Sequence, residues 1–295
     1  MKRSLSFFLL PLFLVAPPGP GPDPRPASEL VAELRASIDS GDLESAIRAG
    51  EKAIGLDPLN SEPHDLLGRA YGLKAQESQL LEQIRLARKA RAFFARAVEL
   101  DSSNVSALAD LTTYDIRAPA ALGGGKAKAR REAQKVLDLD PARGHELLGE
   151  LAEHEKDPVT AEGHYREAIA AAPHAMRARR AFSSFLIRRQ RYVDARQLWF
   201  EAREADASDS NAPYELAGIA LAWGQGLAAA LEDLEASLSL PERPNGPSRA
   251  EVHRRIALVC NKLGRKEQEK AALEEALRLE PYHADWRKAL ARLRR

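Results

Sequence analysis

The chain has 295 residues, of which 44% are apolar, 29% are charged and 6% are aromatic. This composition is typical of a soluble, helix-rich globular protein. The formal net charge of +1 argues against a general nucleic-acid binder, because such proteins carry a strongly basic surface. Local basic clusters on amphipathic helices are more often solvated faces than binding patches.

The first 16 residues have the layout of a secretory signal. Lys2 and Arg3 precede an apolar run from Leu5 to Ala16, which is too short to span a bilayer as a stable helix. Residues 17–27 follow as a proline-rich, extended spacer. We therefore expect export to a bacterial periplasm or cell envelope, with no integral membrane span. If the signal interpretation is wrong, the expected location is the cytoplasm.

A pattern of small, aromatic and small residues recurs every 34 residues in the middle of the chain. Its two clearest copies are Ala161, Tyr165, Ala168 and Ala195, Trp199, Ala202. Spacings of four and three residues place each set on one stripe of a helix, where alanines let a neighbouring helix approach closely. A fixed period of this length predicts an array of repeats that stack on each other to bury their apolar faces.

In each unit, another predicted helix precedes the helix that carries the stripe, and a helix-ending proline follows the stripe. This preceding helix carries a large residue followed by a small one, as in Leu67-Gly68 and Leu148-Gly149. Glycines are expected at the turns within pairs, namely Gly41, Gly224 and Gly264. Prolines such as Pro58 and Pro141 mark the boundaries between units, because proline cannot continue a helix.

These marks resemble the tetratricopeptide repeat family. The resemblance implies an all-α, right-handed superhelical solenoid of about seven antiparallel helix pairs over residues 28–281. Departures from the 34-residue period predict insertions near residues 76–86, 117–125 and 242–249. Residues 282–295 keep an apolar spacing at Trp286, Leu290 and Leu293, which predicts a capping helix with one face for the last repeat and one for water.

No catalytic or metal-binding pattern stands out. The single cysteine, Cys260, is expected to be a buried structural thiol. The histidines lack the spacing of a zinc-binding helix. The segment from Gly123 to Lys126 lacks the glycine and hydroxyl positions of a nucleotide-binding loop, which favours a flexible turn. The sequence therefore predicts a protein that is not an enzyme, with no metal, no cofactor and no nucleic-acid partner.

The resemblance implies that the first helix of each pair lines a concave groove for a partner protein or peptide. Alignment to the family assigns to this groove Arg69, Leu108, Glu146, Glu150, Arg177, Arg180, Arg188, Tyr214, Arg254 and Asn261. The first hypothesis is a non-catalytic interaction scaffold of the cell envelope, with charge recognition by Glu150, Arg180 and Arg188 and an aromatic anchor at Tyr214.

Three alternatives stay open. The inserted loops near Gly123 and Asn245 could close the groove into a pocket for a solute or small ligand. The array could instead mediate self-association. Any single groove residue could also belong to an ordinary solvated helix face.

Overall fold

The computed structural model describes residues 25–242, 246–281 and 283–293. The predicted signal at residues 1–16 and most of the spacer at 17–27 lie outside the described residues, as do parts of the third insertion and of the C-terminal segment. The described part of the chain contains helices and no strand. The α-helices are α1 (Ala27–Asp39), α2 (Leu43–Leu56), α3 (Ser61–Gln76), α4 (Leu80–Leu100), α5 (Val105–Arg117), α6 (Lys126–Leu139), α7 (Pro141–His154), α8 (Pro158–Ala171), α9 (Met176–Arg188), α10 (Tyr192–Ala205), α11 (Asn211–Trp223), α12 (Leu227–Ser237), α13 (Arg249–Lys262), α14 (Lys266–Leu279) and α15 (Ala284–Leu293).

Within the described residues, six pairs of successive helices pack together, namely α1 with α2, α3 with α4, α7 with α8, α9 with α10, α11 with α12 and α13 with α14, and α15 packs on α14. The prediction of an all-α repeat array with a terminal capping helix is thereby confirmed for the described residues. Helices such as α7 and α8 begin with proline after an aspartate, Asp140 and Asp157, whose side chain accepts a backbone N–H of the first turn. Each aspartate therefore ends one helix or turn and starts the next helix.

The turn within a helix pair requires a left-handed backbone. Gly41, Gly224 and Gly264 take φ values of 77°, 75° and 72° at this position, as the sequence predicts. Lys156 and Gln190 occupy the corresponding turns of two central pairs with φ values of 63° and 58°. Because a side chain destabilises this conformation, these two turns carry backbone strain that glycine avoids.

The chain divides into two compact units between Tyr114 and Asp115. The core of the first unit contains Leu34, Leu67 and Phe94, which are contributed by the first two helix pairs. Small residues let those helices approach, since a β-carbon added at Gly68 would lie 2.6 Å from the Phe94 ring. The predicted first insertion lies at the end of α3 and the start of α4, and α4 has 21 residues.

The second unit has two apolar clusters. In one, Trp199 of the alanine–aromatic stripe is fully buried beside Tyr165 and Phe185. In the other, Cys260 packs with residues that include Trp286 and Leu290 of α15. The prediction that Cys260 is a buried thiol is confirmed, and burial raises its pKa. Helix α15 covers the last pair with its apolar face, as a cap requires.

The second insertion is a tight turn between α5 and α6. A short 3-10 helix spans Ala120–Leu122, and Gly123 follows with a φ of 90°. A β-carbon added at Gly124 would lie 1.9 Å from the carbonyl oxygen of Ala118, so only glycine fits. Lys126 Nζ donates a hydrogen bond to the His154 carbonyl oxygen at 3.0 Å, so this lysine has a partner within the protein.

Candidate binding clefts

The charged residues predicted for the groove on α7 and α9 bind each other across neighbouring repeats. Glu146 of α7 is buried, and it accepts hydrogen bonds from Arg143 at 2.7 Å and from Arg177 of α9 at 3.1 Å. Arg177 also lies 3.8 Å from Asp140. These contacts stabilise a carboxylate that would otherwise be buried without a partner.

The same helices contribute a second link about two turns further along α7. Arg188 of α9 donates to both carboxylate oxygens of Glu153 on α7, at 2.6 and 3.2 Å. The hydroxyl of Tyr165 donates to Glu153 at 2.6 Å. Burial, then this hydrogen bond, raises the pKa of Tyr165, so the hydroxyl remains a donor. Tyr165 therefore positions Glu153, the acid that binds Arg188 of the next repeat.

Two further predicted groove residues are paired in the same way. Arg180 of α9 donates to Glu215 of α11 at 2.6 Å and to the side chain of Asn211 at 2.7 Å. Glu150 of α7 accepts from Arg117 at 2.5 Å. Together with the Glu146 and Glu153 contacts, these pairs form what we call the inter-repeat ion-pair ladder. Its partners are separated by 31 to 35 residues, about one repeat.

In the first unit, the structure supports one predicted groove residue as a surface group and corrects another. Arg69 of α3 donates to Asp110 of α5 at 2.6 Å, and its side chain is 41% exposed. Leu108 of α5 is only 2% exposed. The assignment of Leu108 to a groove surface is therefore wrong, because its side chain is buried and not exposed to a partner.

A cleft of about 540 Å³ lies over the ladder and is called the ladder cleft below. Its lining contains three arginines and three glutamates, together with His154, Tyr165, Ala181 and Ser184. The six charged residues are Arg117, Arg143, Arg188, Glu146, Glu150 and Glu153. Every one of them has an opposite charge within an ion pair. The walls are ionic and already neutralised, which differs from the mainly apolar lining of typical small-ligand pockets.

A second cleft, of about 380 Å³, lies near the C-terminal end of the second unit and is called the terminal cleft below. Helices α11, α13 and α15 contribute its lining residues, which are Tyr214, Gly218, Leu221, Glu251, Arg254, Arg255, Leu258 and Trp286. Leu258 is 38% exposed. This cleft combines accessible apolar and aromatic groups with two arginines.

The two arginines of the terminal cleft have different surroundings. The guanidinium of Arg255 lies flat on the Tyr214 ring, 3.7 Å from its centroid, and donates to the Tyr214 carbonyl oxygen at 3.3 Å. Arg254 is half-buried and makes no hydrogen bond or ion pair with any described residue. Burial lowers the pKa of Arg254, as expected when a cation is partly removed from water.

Asn261, also predicted for the groove, lies on α13 but does not line the terminal cleft. Its side-chain amide donates to both carboxylate oxygens of Glu269 at 3.0 Å. Glu269 replaces the small residue expected in the stripe of α14 and is buried. Asn261 thus satisfies a buried acid inside the last helix pair.

Sequence reasoning missed Arg255 and Gly218 as parts of the terminal cleft, and it treated Trp286 only as a capping residue. Arg255 directly follows Arg254 in the sequence but was not among the predicted groove residues. The signal for the ladder was present, because the acids of α7 lie about one repeat before the arginines of α9. Opposite charges at one repeat's spacing on equivalent helices indicate pairing between repeats.

A separate buried charge cluster lies between α5 and α6. Lys128 Nζ is 2.6 Å from Asp115 Oδ2 and 3.6 Å from Glu132 Oε1. Both acids are buried, and Glu132 Oε2 has no hydrogen-bond partner. Burial, then the charge of Asp115, raises the pKa of Glu132 to about 7.

Within the described ranges, no group of three or more His, Cys, Asp or Glu side chains is placed to hold a metal ion. In that same part of the chain, the helices are all too short or too polar to cross a membrane.

Comparison with protein families matches residues 250–283, a range that includes most of α13 and all of α14, to the tetratricopeptide repeat. Among solved structures, yeast Tom70 is similar with a TM-score of 0.63 and 14% identity over 94% of this chain and 58% of that chain. Residues 250–283 therefore contain a tetratricopeptide repeat, and the likeness to Tom70 shows a shared helical fold.

Other similar solved structures have lower scores. A repeat protein from Parabacteroides merdae has a TM-score of 0.48 and 17% identity over 90% of this chain and 98% of that one. One from Thermus thermophilus has a TM-score of 0.49 and 18% identity over 56% of this chain and 84% of that one. No curated protein matches the chain.

Proposed function

We propose that this protein is a non-catalytic interaction scaffold that binds a partner protein through the terminal cleft. Tetratricopeptide-repeat proteins bind protein partners. We choose this site because the two clefts differ in whether their charged side chains are already paired. The arginines and glutamates of the ladder cleft are paired with each other, whereas the terminal cleft has an unpaired arginine beside accessible apolar groups.

Aromatic and arginine side chains in partly enclosed clefts contribute most of the binding energy in protein interfaces. Tyr214, Leu258 and Arg254 provide this combination in one cleft. The role first assigned to Arg180 and Arg188 changes accordingly. Because both arginines hold acids of neighbouring repeats, reversing their charge would disturb the fold and would not isolate partner binding.

The experiment is crosslinking of the tagged full-length protein in its native cells, followed by mass spectrometry of the captured proteins. The test variant is the double substitution Y214A/L258A, which removes two of the apolar groups that line the terminal cleft. The matched control is V193A, which truncates a valine on α10 that is 64% exposed and outside both clefts. We expect the test variant to lose partners that the control retains, with unchanged circular dichroism. Equal capture by both variants would rule out the terminal cleft as the binding site.

We also propose that the protein acts in the periplasm or cell envelope. The support is the basic and apolar pattern of residues 1–16 in the sequence. Fusing residues 1–40 to a reporter phosphatase that is active only after export tests this proposal. Phosphatase activity outside the cytoplasm is the expected result, and an inactive cytoplasmic fusion would place the scaffold in the cytoplasm.

A further inference from the structure

We propose that the terminal cleft binds an internal segment of a partner in which an acidic side chain lies between apolar residues, with Arg254 receiving the carboxylate. This inference rests on the proposed function and specifies the chemistry of the partner. It is argued from the charges around Arg254, the aromatic wall beside it and the apolar groups on both sides of the cleft.

No carboxylate of the described residues forms a hydrogen bond or ion pair with Arg254, although the charges of Glu269 and Asp285 act on it. The nearest acids already have partners, since Glu269 accepts two hydrogen bonds from Asn261 and Asp285 lies 3.3 Å from Lys288. Glu251 accepts the backbone N–H of Ser248 in a capping box at the start of α13. A half-buried guanidinium without a protein acceptor has lost part of its hydration, so an incoming carboxylate gains a strong, bidentate partner there.

Arg255 adds positive charge and a flat wall without being the receptor itself. Its guanidinium is held against the Tyr214 ring, an arrangement that stabilises the cation by interaction with the aromatic face. The chain allows this because α11 has glycine at position 218, where a β-carbon would lie 2.4 Å from Arg255 Nη1. The two arginines together make the terminal cleft attractive to acids, unlike the neutralised ladder cleft.

The apolar groups explain why the acid is expected inside a segment and not at a chain end. Tyr214 and Leu221 line the cleft from α11, Leu258 from α13 and Trp286 from α15. Apolar side chains on both sides of the acid would therefore find contacts in the cleft. A terminal carboxylate has chain on one side only and would leave half of this lining uncovered.

The test uses a library of random peptides displayed inside a loop of a carrier protein, so that no peptide has a free terminus. The full-length protein is used for selection, and the recovered sequences are compared with the unselected library. We expect enrichment of Asp or Glu flanked by Leu, Phe or similar residues. Selected peptides are then synthesised with blocked ends, labelled and measured by fluorescence anisotropy.

The decisive variant is R254Q, and the matched control is R278Q, which changes an exposed arginine of α14 that lies outside the cleft lining. R254Q should remove the enrichment of acids and weaken the selected peptides about tenfold, as expected when a charge-assisted pair is lost. R278Q should behave as wild type. Replacing the acid of a selected peptide by its amide should weaken its binding to wild type as much as R254Q weakens binding of the acidic peptide. The same replacement should not weaken binding to R254Q any further.

The outcomes separate this inference from the proposed function. The selected peptides could be enriched in apolar residues in a way that Y214A/L258A abolishes, but lack acids or keep the same acids when R254Q is used. Either result would overturn the role of Arg254 and leave the scaffold proposal intact. Binding only by peptides with a free C-terminal carboxylate, added as a separate labelled set, would overturn the internal-segment assignment. No selection by the wild-type protein would overturn both.

Discussion

The buried acid Glu132 makes the stability of the second unit depend on pH near neutrality. In the native state its pKa is raised to about 7 from an ordinary value of 4.5, first by burial and then by Asp115. The native state therefore binds this proton more tightly than the unfolded chain does. Its stabilising contribution is present at low pH and is lost as pH rises from the unfolded to the native pKa.

The magnitude follows from the two pKa values. Linkage gives a loss of about 2 kcal/mol in the free energy of unfolding between about pH 5.5 and about pH 8.5 from this group alone. In the ionised state two buried carboxylates share the single ammonium of Lys128, and one carboxylate oxygen of Glu132 lacks a hydrogen-bond partner. The substitution E132Q keeps the shape and removes the titration.

The assay is urea unfolding of the full-length protein at both pH values, monitored by far-ultraviolet circular dichroism. Wild type should lose about 2 kcal/mol relative to E132Q as pH rises, so the variant should be the more stable protein at the higher pH. Burial lowers the pKa of His164 and His253, which gives stability that rises with pH, and subtracting the variant from wild type cancels this contribution.

A suitable control is E275Q. A hydrogen bond from Arg278 lowers the pKa of Glu275 below its ordinary 4.5, so Glu275 titrates below the tested range and its substitution should leave the pH dependence as in wild type. Parallel pH profiles for wild type and E132Q would refute the reasoning, because they would show that Glu132 is ionised in the native protein throughout the range.

Three further predictions concern the stability of the repeats and are checked by the same unfolding measurement. R143M should lower the free energy of unfolding by about 1–2 kcal/mol, because it leaves the buried carboxylate of Glu146 with one partner fewer. E146Q should lower it less, because an amide still accepts hydrogen bonds. Equal losses for the two variants would contradict this. G144A should lower the free energy of unfolding by about 3 kcal/mol or more, since its β-carbon would lie 2.2 Å from the backbone of α6. G163A has open space around its β-carbon on α8 and should raise the free energy of unfolding by about 0.5–1 kcal/mol. Similar effects of the two substitutions would argue against the close approach of α6 and α7. K156G should stabilise by about 0.5–1 kcal/mol, because glycine takes the left-handed turn without strain, and a destabilised variant would contradict that account.

Periodicity in the sequence predicted the helices, their pairing, the turns at Gly41, Gly224 and Gly264, and the packing of Trp199 between helices. These features depend on local backbone preferences and on apolar spacing, and both can be read along a single chain. The same reasoning placed Leu108 on the wrong side of its helix. Leu108 is apolar and buried, and residue type alone does not distinguish an apolar groove position from a core position.

Whether the groove charges are available to a partner depends on contacts between repeats. Glu146 and Arg177 look like recognition residues in sequence, yet they lie 3.1 Å apart and neutralise each other. Arg254 is likewise an arginine on the first helix of its pair, but it makes no hydrogen bond or ion pair with a described residue. The sequence determined the helical repeat array because apolar periodicity and turn geometry act within or between adjacent helices. Only the tertiary structure decided which charges bind each other and which stay available, because that depends on distances of a few ångströms between side chains about one repeat apart.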